Sequence, residues 1–463
     1  MEHIINSTLD NPQHSMAACL PTDSALLHPQ FLFGAATAAF QIEGANATDG
    51  RLTTIWDTFC ATPGKVLNGD DGAIACDHYR LWSEDLDLVK NLGFGGYRLS
   101  IAWARVMDER GLPNERGIAF YKRLLDRLQA LNIKAFVTLY HWDLPQYLQD
   151  RGGWMNRETA YRFAEYADLM SRELQGRVAA WATLNEPWVI ADLGHVAGVH
   201  APGLTDPRMA TQAMHHLLLA HGLALPILRA NDPGAQVGLV ANIGFGEPHR
   251  DTPADRHAAA LCDAHHNGWV LDPLFKGEYP AALFEMWPGA QPLVLAGDME
   301  IISRPMDYLG INYYMRNVLE SDGAHGYRHV QVPDVERTQM GWEVYPDGLR
   351  QLLLTLHRRY PNLPPIYITE NGLASDDIVQ TDQVEDSQRL SYLQRHLGAV
   401  DQAIRQGVDV RGYFAWSLLD NFEWSYGYER RFGIVHVDYS TQKRTPKLSA
   451  LAFQRFLKQR TEL

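Results

Sequence analysis

Residues Ile366–Gly372 read Ile-Tyr-Ile-Thr-Glu-Asn-Gly and carry the strongest fold signal in the chain. Their first half is a short apolar, β-branched run, which is typical of a buried parallel strand. Glu370 follows where that strand should end, and Asn-Gly then indicates a turn. An acid delivered to the carboxyl end of its own strand is typical of active sites built on strand ends. A single glutamate in such a place would more often be a solvated strand terminus.

A second segment repeats the arrangement. Residues Ala179–Pro187 form another short apolar run that ends in Glu186, and Pro187 then stops the pairing of the strand. Two strand-end glutamates so far apart in sequence can meet only if the fold brings the ends of their strands together. A closed barrel of parallel strands does this.

Strand-like runs alternate with amphipathic, helix-like segments from about residue 31 to the end of the chain. The predicted strands are Phe31–Ala36, Gly96–Ile101, Lys134–Leu139, Ala180–Leu184, Val237–Ile243, Tyr308–Asn312, Ile366–Thr369 and Gly412–Trp416. The predicted helices include Trp82–Leu92, Ile118–Leu131, Thr159–Gln175, Met209–Ala230, Gly348–Tyr360 and Arg389–Gln406. Eight βα units indicate an α/β protein with a single (β/α)8 TIM barrel and extended βα loops.

We expect one catalytic domain over residues 29–463, preceded by a flexible N-terminal tail over residues 1–28. The composition, 46% hydrophobic and 21% charged, is ordinary for a globular protein. An open, doubly wound sheet with a nucleotide site is the alternative fold. Its Gly-rich candidate is Gly93–Gly96, but Arg98 stands where the fingerprint needs its third glycine, and no helix follows directly.

The net charge and the cysteines limit which binding partners and which cellular compartment we expect. The formal net charge is −14 and no Lys/Arg-rich run occurs, which argues against nucleic acid. The four cysteines form no CxxC pair and fit reduced thiols in a cytoplasmic protein. No apolar run approaches the ~20 residues of a membrane helix. The histidine pairs at residues 215–216 and 265–266 are poor chelators, so we expect no metal and no cofactor.

Polar, aromatic and acidic residues follow most of the predicted strands at their carboxyl ends. They are Gln41, Glu43, Arg98, His141, Trp142, Asp143, Asn185, Glu186, Asn312, Tyr314, Glu370, Trp416, Glu423 and Trp424. Each alone has an ordinary packing explanation, but packing does not predict their joint placement on one rim. Indole faces with paired hydrogen-bonding groups suit a sugar, and a carboxylate pair across a sugar suits glycoside hydrolysis. A carboxyl separation of ~5–5.5 Å would indicate retention, and a wider one inversion.

Thr183–Pro187 and Ile368–Gly372 resemble the two signature motifs of the family-one retaining β-glycosidases, the β-glucosidase family. Further segments resemble other motifs of that family: Phe31–Thr37, Gln41–Gly44, Tyr97–Trp103, His141–Pro145, Gly310–Tyr314 and Trp416–Trp424. The likeness runs from about residue 29 to the final helix. It implies a retaining exo-β-glycosidase, foremost a β-glucosidase that acts on terminal non-reducing β-D-glucosyl residues of small β-glycosides or oligosaccharides.

The resemblance also implies the roles of the site residues. Glu370 is similar to the nucleophile and Glu186 to the general acid/base. Arg98 and Tyr314 would stabilise Glu370 as the anion, and its charge would raise the pKa of Glu186. The implied sugar-binding residues are Gln41, His141, Trp142, Asn185, Asn312, Trp416, Glu423, Trp424 and Phe432. The implied aglycone-side residues are Trp188, His200 and Trp342.

Two residues indicate which subclass of this family the chain resembles. Glu423 would repel a sugar phosphate, so an unphosphorylated glycoside is expected, and its two oxygens suit the 4-hydroxyl of glucosides, galactosides and fucosides alike. Glu186 is the carboxyl that thioglucosidases lack. A transglycosylating β-glycosidase remains an alternative, as does a catalytically inactive sugar-binding protein on the same fold. The sequence leaves a homo-oligomer open.

Overall fold

The computed structural model describes residues 14–323, 326–380 and 383–460. Eight parallel strands close into a barrel in which every strand pairs with its neighbours in sequence. The strands are β1 (Leu32–Ala36), β2 (Gly96–Ser100), β3 (Lys134–Tyr140), β4 (Ala180–Asn185), β5 (Gln236–Asn242), β6 (Tyr308–Asn312), β7 (Ile366–Asn371) and β8 (Val410–Trp416). The register of Leu32 with Gly412 and of Ala36 with Trp416 closes β8 on β1. The predicted TIM barrel is confirmed.

Helices surround the barrel and fill its longer connections. Those with seven or more residues are Ile55–Ala61, His78–Asn91, Glu115–Ala130, Arg157–Glu173, Pro187–His195, Pro207–Asn231, Pro253–Asp263, Trp269–Lys276, Pro346–Arg359, Ser387–Arg405 and Leu448–Arg460. The six predicted helices are all present, with ends shifted by a few residues. In Glu115–Ala130, Tyr121, Leu124 and Leu128 are buried on one face, as their helical spacing predicts.

The two strands that carry the predicted acids to the rim are longer than predicted. β4 continues to Asn185, and β7 continues through Glu370 to Asn371. Glu370 is still in register with Asn312 of β6, so its backbone belongs to the sheet and not to a loop. β7 pairs with β6 at Glu370 and with β8 at the next residue, Asn371, so the sheet holds the backbone around this acid.

Aromatic side chains fill the interior of the barrel below its carboxyl end. The rings of Phe136 and Phe414 lie 4.8 Å apart, and Tyr367 packs edge-on against Phe136. A Cβ atom on Gly34 would lie 2.3 Å from the Phe414 ring, so only glycine fits beside it. The lumen is therefore filled by side chains at this level.

Residues 14–28 differ from the loose segment that the sequence predicts, while residues 1–13 lie outside the described residues. Met16 and Leu26 are fully buried. Ser24 donates to Asp401 Oδ1 at 2.5 Å, which attaches this segment to helix Ser387–Arg405. Isolated apolar residues in a polar segment have no periodicity, so the sequence carries no signal for this packing. The proposed domain limit at residue 29 stays a prediction.

In each histidine pair of the sequence, one histidine is buried and contacts a carboxylate. His215 Nε2 lies 2.9 Å from Asp298, and His265 Nε2 lies 3.0 Å from Asp192, so each of these buried histidines faces a carboxylate. Among the helices in the described ranges, none combines the length and the apolar character that crossing a membrane requires.

Candidate active site

A cavity of about 590 Å³ opens at the carboxyl ends of the barrel strands. Glu186, from the end of β4, and Glu370, from β7, both line it. The other predicted residues in its wall are His141, Trp142, His200, Tyr314, Trp342, Trp416, Glu423, Trp424 and Phe432. The structure thus brings three acids and most of the predicted aromatic residues to one site.

Glu370 lies between two hydrogen-bond donors. Arg98, from β2, forms a buried ion pair with Glu370 Oε1, and the Tyr314 hydroxyl donates to Oε2 at 2.6 Å. Burial and the nearby charge of Glu370 raise the pKa of Tyr314 well above its usual value, so this phenol remains a donor. Both carboxylate oxygens are therefore held in place, and the anion is stabilised.

Glu186 has the opposite electrostatic environment. Burial first, and then the charge of Glu370, raise its pKa to about 8. Asn312 donates its side-chain amide to Glu186 Oε1. The Glu186 backbone is left-handed, with φ 52° and ψ 67°, at the position preceding helix Pro187–His195, and its side chain makes no capping bond. This costly conformation leaves the carboxyl free to face the cavity.

Buried amides connect the two acids. Arg98 Nη2 donates to Asn185 Oδ1 at 2.7 Å, and Asn312 Nδ2 donates to the same oxygen at 3.1 Å. Asn185 Nδ2 lies 3.1 Å from His141 Nε2. One network therefore joins Glu370 through Arg98, Asn185 and Asn312 to Glu186. Asn185 and Asn312 support the cavity from behind and do not form its wall.

Gln41, His141 and Glu423 present buried polar atoms near the cavity. Gln41 Nε2 donates to Phe422 O at 2.9 Å and reaches Glu423 Oε2 at 3.5 Å. Within the described part of the chain, Gln41 Oε1 and His141 Nδ1 have no hydrogen-bond partner. Burial, and then Glu370, raise the pKa of Glu423 to about 8, and burial holds the pKa of His141 well below its usual range. These groups suit the hydroxyls of a bound sugar.

Indole rings cover much of the wall. The ring of Trp416 lies nearly parallel to that of His141, and Trp424 packs on Trp142 with ring centroids 4.5 Å apart. Trp342 lies 5.5 Å from Tyr314 on another part of the wall. Aromatic faces of this kind pack against the C–H faces of sugars and against apolar leaving groups.

Buried charges hold the loop that carries Glu423. Lys447 Nζ donates to Asp377 Oδ2 at 2.5 Å, in the loop after β7, and to Asp420 Oδ1 at 2.7 Å, in the loop after β8. Arg389 also pairs with Asp377, at 2.9 Å. The side chains of Lys447, Asp377 and Asp420 are at most 1% exposed. This cluster connects the loops that follow the two strands.

Trp188 lies elsewhere, as do two residues expected on the rim: Glu43, which pairs with Arg105, and Asp143, which is buried outside the cavity wall. Trp188 does not line the cavity; its ring stacks on His266 with centroids 4.4 Å apart. The sequence could not show to which side of helix Pro187–His195 this indole points. His200 and Trp342, the other two predicted aglycone-side residues, do line the cavity.

Several lining residues were missed. Asn242 is the last residue of β5, so the rule that served for the other strands could have found it. Lys65, Val199, Met340 and Tyr426 also line the cavity but come from irregular loops, for which the sequence gives no positional signal.

Comparison with known proteins agrees with this site. A model of glycosyl hydrolase family 1 matches residues 24–462. A β-glucosidase of Agrobacterium sp. is 48% identical over 442 residues, which cover 94% of this chain and 95% of that protein. A bifunctional β-D-glucosidase/β-D-fucosidase of Bifidobacterium breve is 44% identical over 92% of this chain and 97% of its own length.

A solved structure extends the likeness to three dimensions. The β-glucosidase of Thermotoga maritima, in complex with glucoimidazole, matches with a TM-score of 0.91 and 44% identity. The match covers 93% of this chain and 98% of that one. Sequence and structure therefore agree over nearly the whole length, and the chain belongs to glycosyl hydrolase family 1 and is a glycoside hydrolase.

Proposed function

We propose that the protein is a retaining exo-β-glycosidase, foremost a β-glucosidase that releases terminal non-reducing β-D-glucosyl residues from small β-glycosides or oligosaccharides. The observation that carries the proposal is the contrast between two acids in one cavity. Arg98 and the Tyr314 hydroxyl donate to the two oxygens of Glu370, whereas the raised pKa of Glu186 keeps it protonated at neutral pH. Two carboxyl groups in these states can serve as nucleophile and general acid.

In the first step, Glu370 attacks the anomeric carbon while Glu186 gives its proton to the departing glycosidic oxygen. The bond from the anomeric carbon to that oxygen breaks, and an ester to Glu370 forms. Esterification removes the charge of Glu370, which lowers the pKa of Glu186. Glu186 then takes a proton from water, the water oxygen attacks the anomeric carbon, and Glu370 is released with net retention.

The surroundings support a neutral sugar. Gln41, His141 and Glu423 offer acceptors and donors for hydroxyls, and none of the three brings the positive charge that would bind a phosphate. We extend the proposal to β-fucosides and β-galactosides, because Glu423 can meet a 4-hydroxyl of either orientation and the Bifidobacterium breve relative is named for both glucosidase and fucosidase activity. The same covalent intermediate would also pass glucose to an added alcohol.

Trapping the intermediate tests the proposal. A 2-deoxy-2-fluoro-β-D-glucoside with a dinitrophenyl leaving group should inactivate the protein, and mass spectrometry should find one fluoroglucosyl group on Glu370. Glu370→Gly should abolish hydrolysis of aryl β-glucosides, whereas Glu173→Gln, a change at a partly exposed glutamate paired with Lys122, should not. A label on another residue, or an active Glu370→Gly variant, would contradict the assignment.

A further inference from the structure

The outer part of the cavity is built by three loops. Phe59 belongs to helix Ile55–Ala61, and the turn that follows supplies Lys65. Val199 comes from the segment after helix Pro187–His195, and Tyr426 from the loop after β8. Ser425 donates its hydroxyl to the Val199 carbonyl and so joins two of these loops. Phe59, Val199 and Tyr426 give this entrance apolar walls that suit a flat ring.

Lys65 brings a positive charge to this entrance. Among the described residues that line the cavity, it is the one lysine or arginine side chain. Its Nζ donates to the Gly198 carbonyl at 3.4 Å and lies 5.5 Å from the centroid of the Phe59 ring. These contacts hold the ammonium at the rim, while no carboxylate within the described ranges lies within salt-bridge distance of it. The ammonium is therefore available to an anionic ligand.

The floor of the cavity does not offer a second such charge. Arg98 is buried and already paired with Glu370. The histidines of the wall, His141 and His200, are buried, and burial lowers the pKa of His200 to about 3. An anionic group on a substrate would thus meet repulsion near Glu370 and attraction only near Lys65, at the end where the leaving group emerges.

We propose that Lys65 makes the entrance selective for β-glucosides whose leaving group is an aromatic ring bearing a carboxylate. The inference rests on the proposed function and specifies its substrate class. The reaction is unchanged: the bond from the anomeric carbon to the phenolic oxygen breaks, and water supplies a hydroxyl to the sugar and a proton to the hydroxyarene carboxylate. The ring packs between Phe59, Val199 and Tyr426, and its carboxylate faces Lys65 Nζ.

A matched substrate pair tests the proposal. 3-Carboxyphenyl and 3-carbamoylphenyl β-D-glucosides are similar in size and differ in charge. The quantity measured is the ratio of their kcat/KM values in each variant, because comparing ratios between variants cancels the difference in leaving-group chemistry. We expect Lys65→Met to lower the ratio about threefold, the size usual for an exposed ion pair. Lys65→Glu should lower it further, and Lys65→Arg should preserve it.

Two controls separate charge at the entrance from general effects. Lys134→Met removes an exposed lysine at the opposite end of the barrel and should leave the ratio unchanged. In 1 M NaCl, where the Debye length is about 3 Å, the unaltered protein should approach the ratio of Lys65→Met. If the ratio is equal in the unaltered protein, in Lys65→Met and in Lys65→Glu, the proposal is overturned. In that case, hydrolysis of the carbamoyl compound would still uphold the proposed function. Failure to cleave either compound would overturn both.

Discussion

The phenol of Tyr314 donates a 2.6 Å hydrogen bond to Glu370 Oε2 and thereby fixes the orientation of this carboxylate in the cavity. Because hydrogen bonds to charged groups contribute about 2 kcal/mol, Tyr314→Phe should lower kcat/KM for aryl β-glucosides roughly thirtyfold. Tyr313→Phe is the matched control, since the Tyr313 hydroxyl instead donates to the Tyr345 carbonyl. Equal losses in the two variants would contradict a role specific to Glu370.

The raised pKa of Glu186 predicts an alkaline limb in the pH profile. Since the general acid must be protonated, kcat/KM should fall as the pH rises through about 8. The pKa of Glu423 is also raised to about 8, so the limb must be assigned by mutation. It should persist in Glu423→Gln and disappear in Glu186→Gln, measured with an aryl glucoside whose leaving group is activated enough to need no acid. A limb lost only in Glu423→Gln would contradict the assignment.

Glu423 should lower the free energy of unfolding in alkaline solution. Its pKa is raised on folding, so the folded state holds a proton that the unfolded state releases, and stability declines as the pH rises from about 4.5 towards about 8. Glu423→Gln should therefore raise the melting temperature more at pH 9 than at pH 4. The variant should also lose affinity for the sugar, because an acceptor for its hydroxyls is replaced. Scanning calorimetry at both pH values, together with KM, checks this; an equal shift at both would contradict it.

Replacing Lys447 should lower the free energy of unfolding more than most substitutions outside the cavity. Lys447→Met leaves Asp377 and Asp420 buried with less compensating charge, which should lower the free energy of unfolding by about 3–5 kcal/mol. The control Lys122→Met breaks a partly exposed pair with Glu173 and should cost less than about 1 kcal/mol. Chemical denaturation of both variants measures the difference, and similar values would show that the buried cluster contributes little.

The barrel and the placement of Glu186 and Glu370 in one cavity could be predicted because they follow from local patterns. A buried parallel strand is a continuous apolar run, and the residue that ends it lies at a known rim, so Glu186 and Glu370 were found without coordinates. The same rule would have found Asn242 at the end of β5.

Residues beyond the strand ends could not be placed with equal success. Trp188 lies in the first turn of a helix, and its direction depends on packing against His266, which is distant in sequence. Lys65 and Tyr426 reach the cavity only because three loops meet there. Loop conformation depends on contacts between segments, and a single sequence does not encode such contacts as a period or a motif.

The ammonium of Lys447 serves as a shared counter-ion for one aspartate from each of two successive loops. Exchanging either loop alone for one without this aspartate would leave Lys447 and the neighbouring Arg389 and Arg431 with one buried carboxylate fewer, whatever sugar contacts the graft supplied. Chimeras designed to alter substrate range should therefore transfer residues 372–386 and 417–433 together with position 447. In this enzyme, the two segments form one exchangeable module.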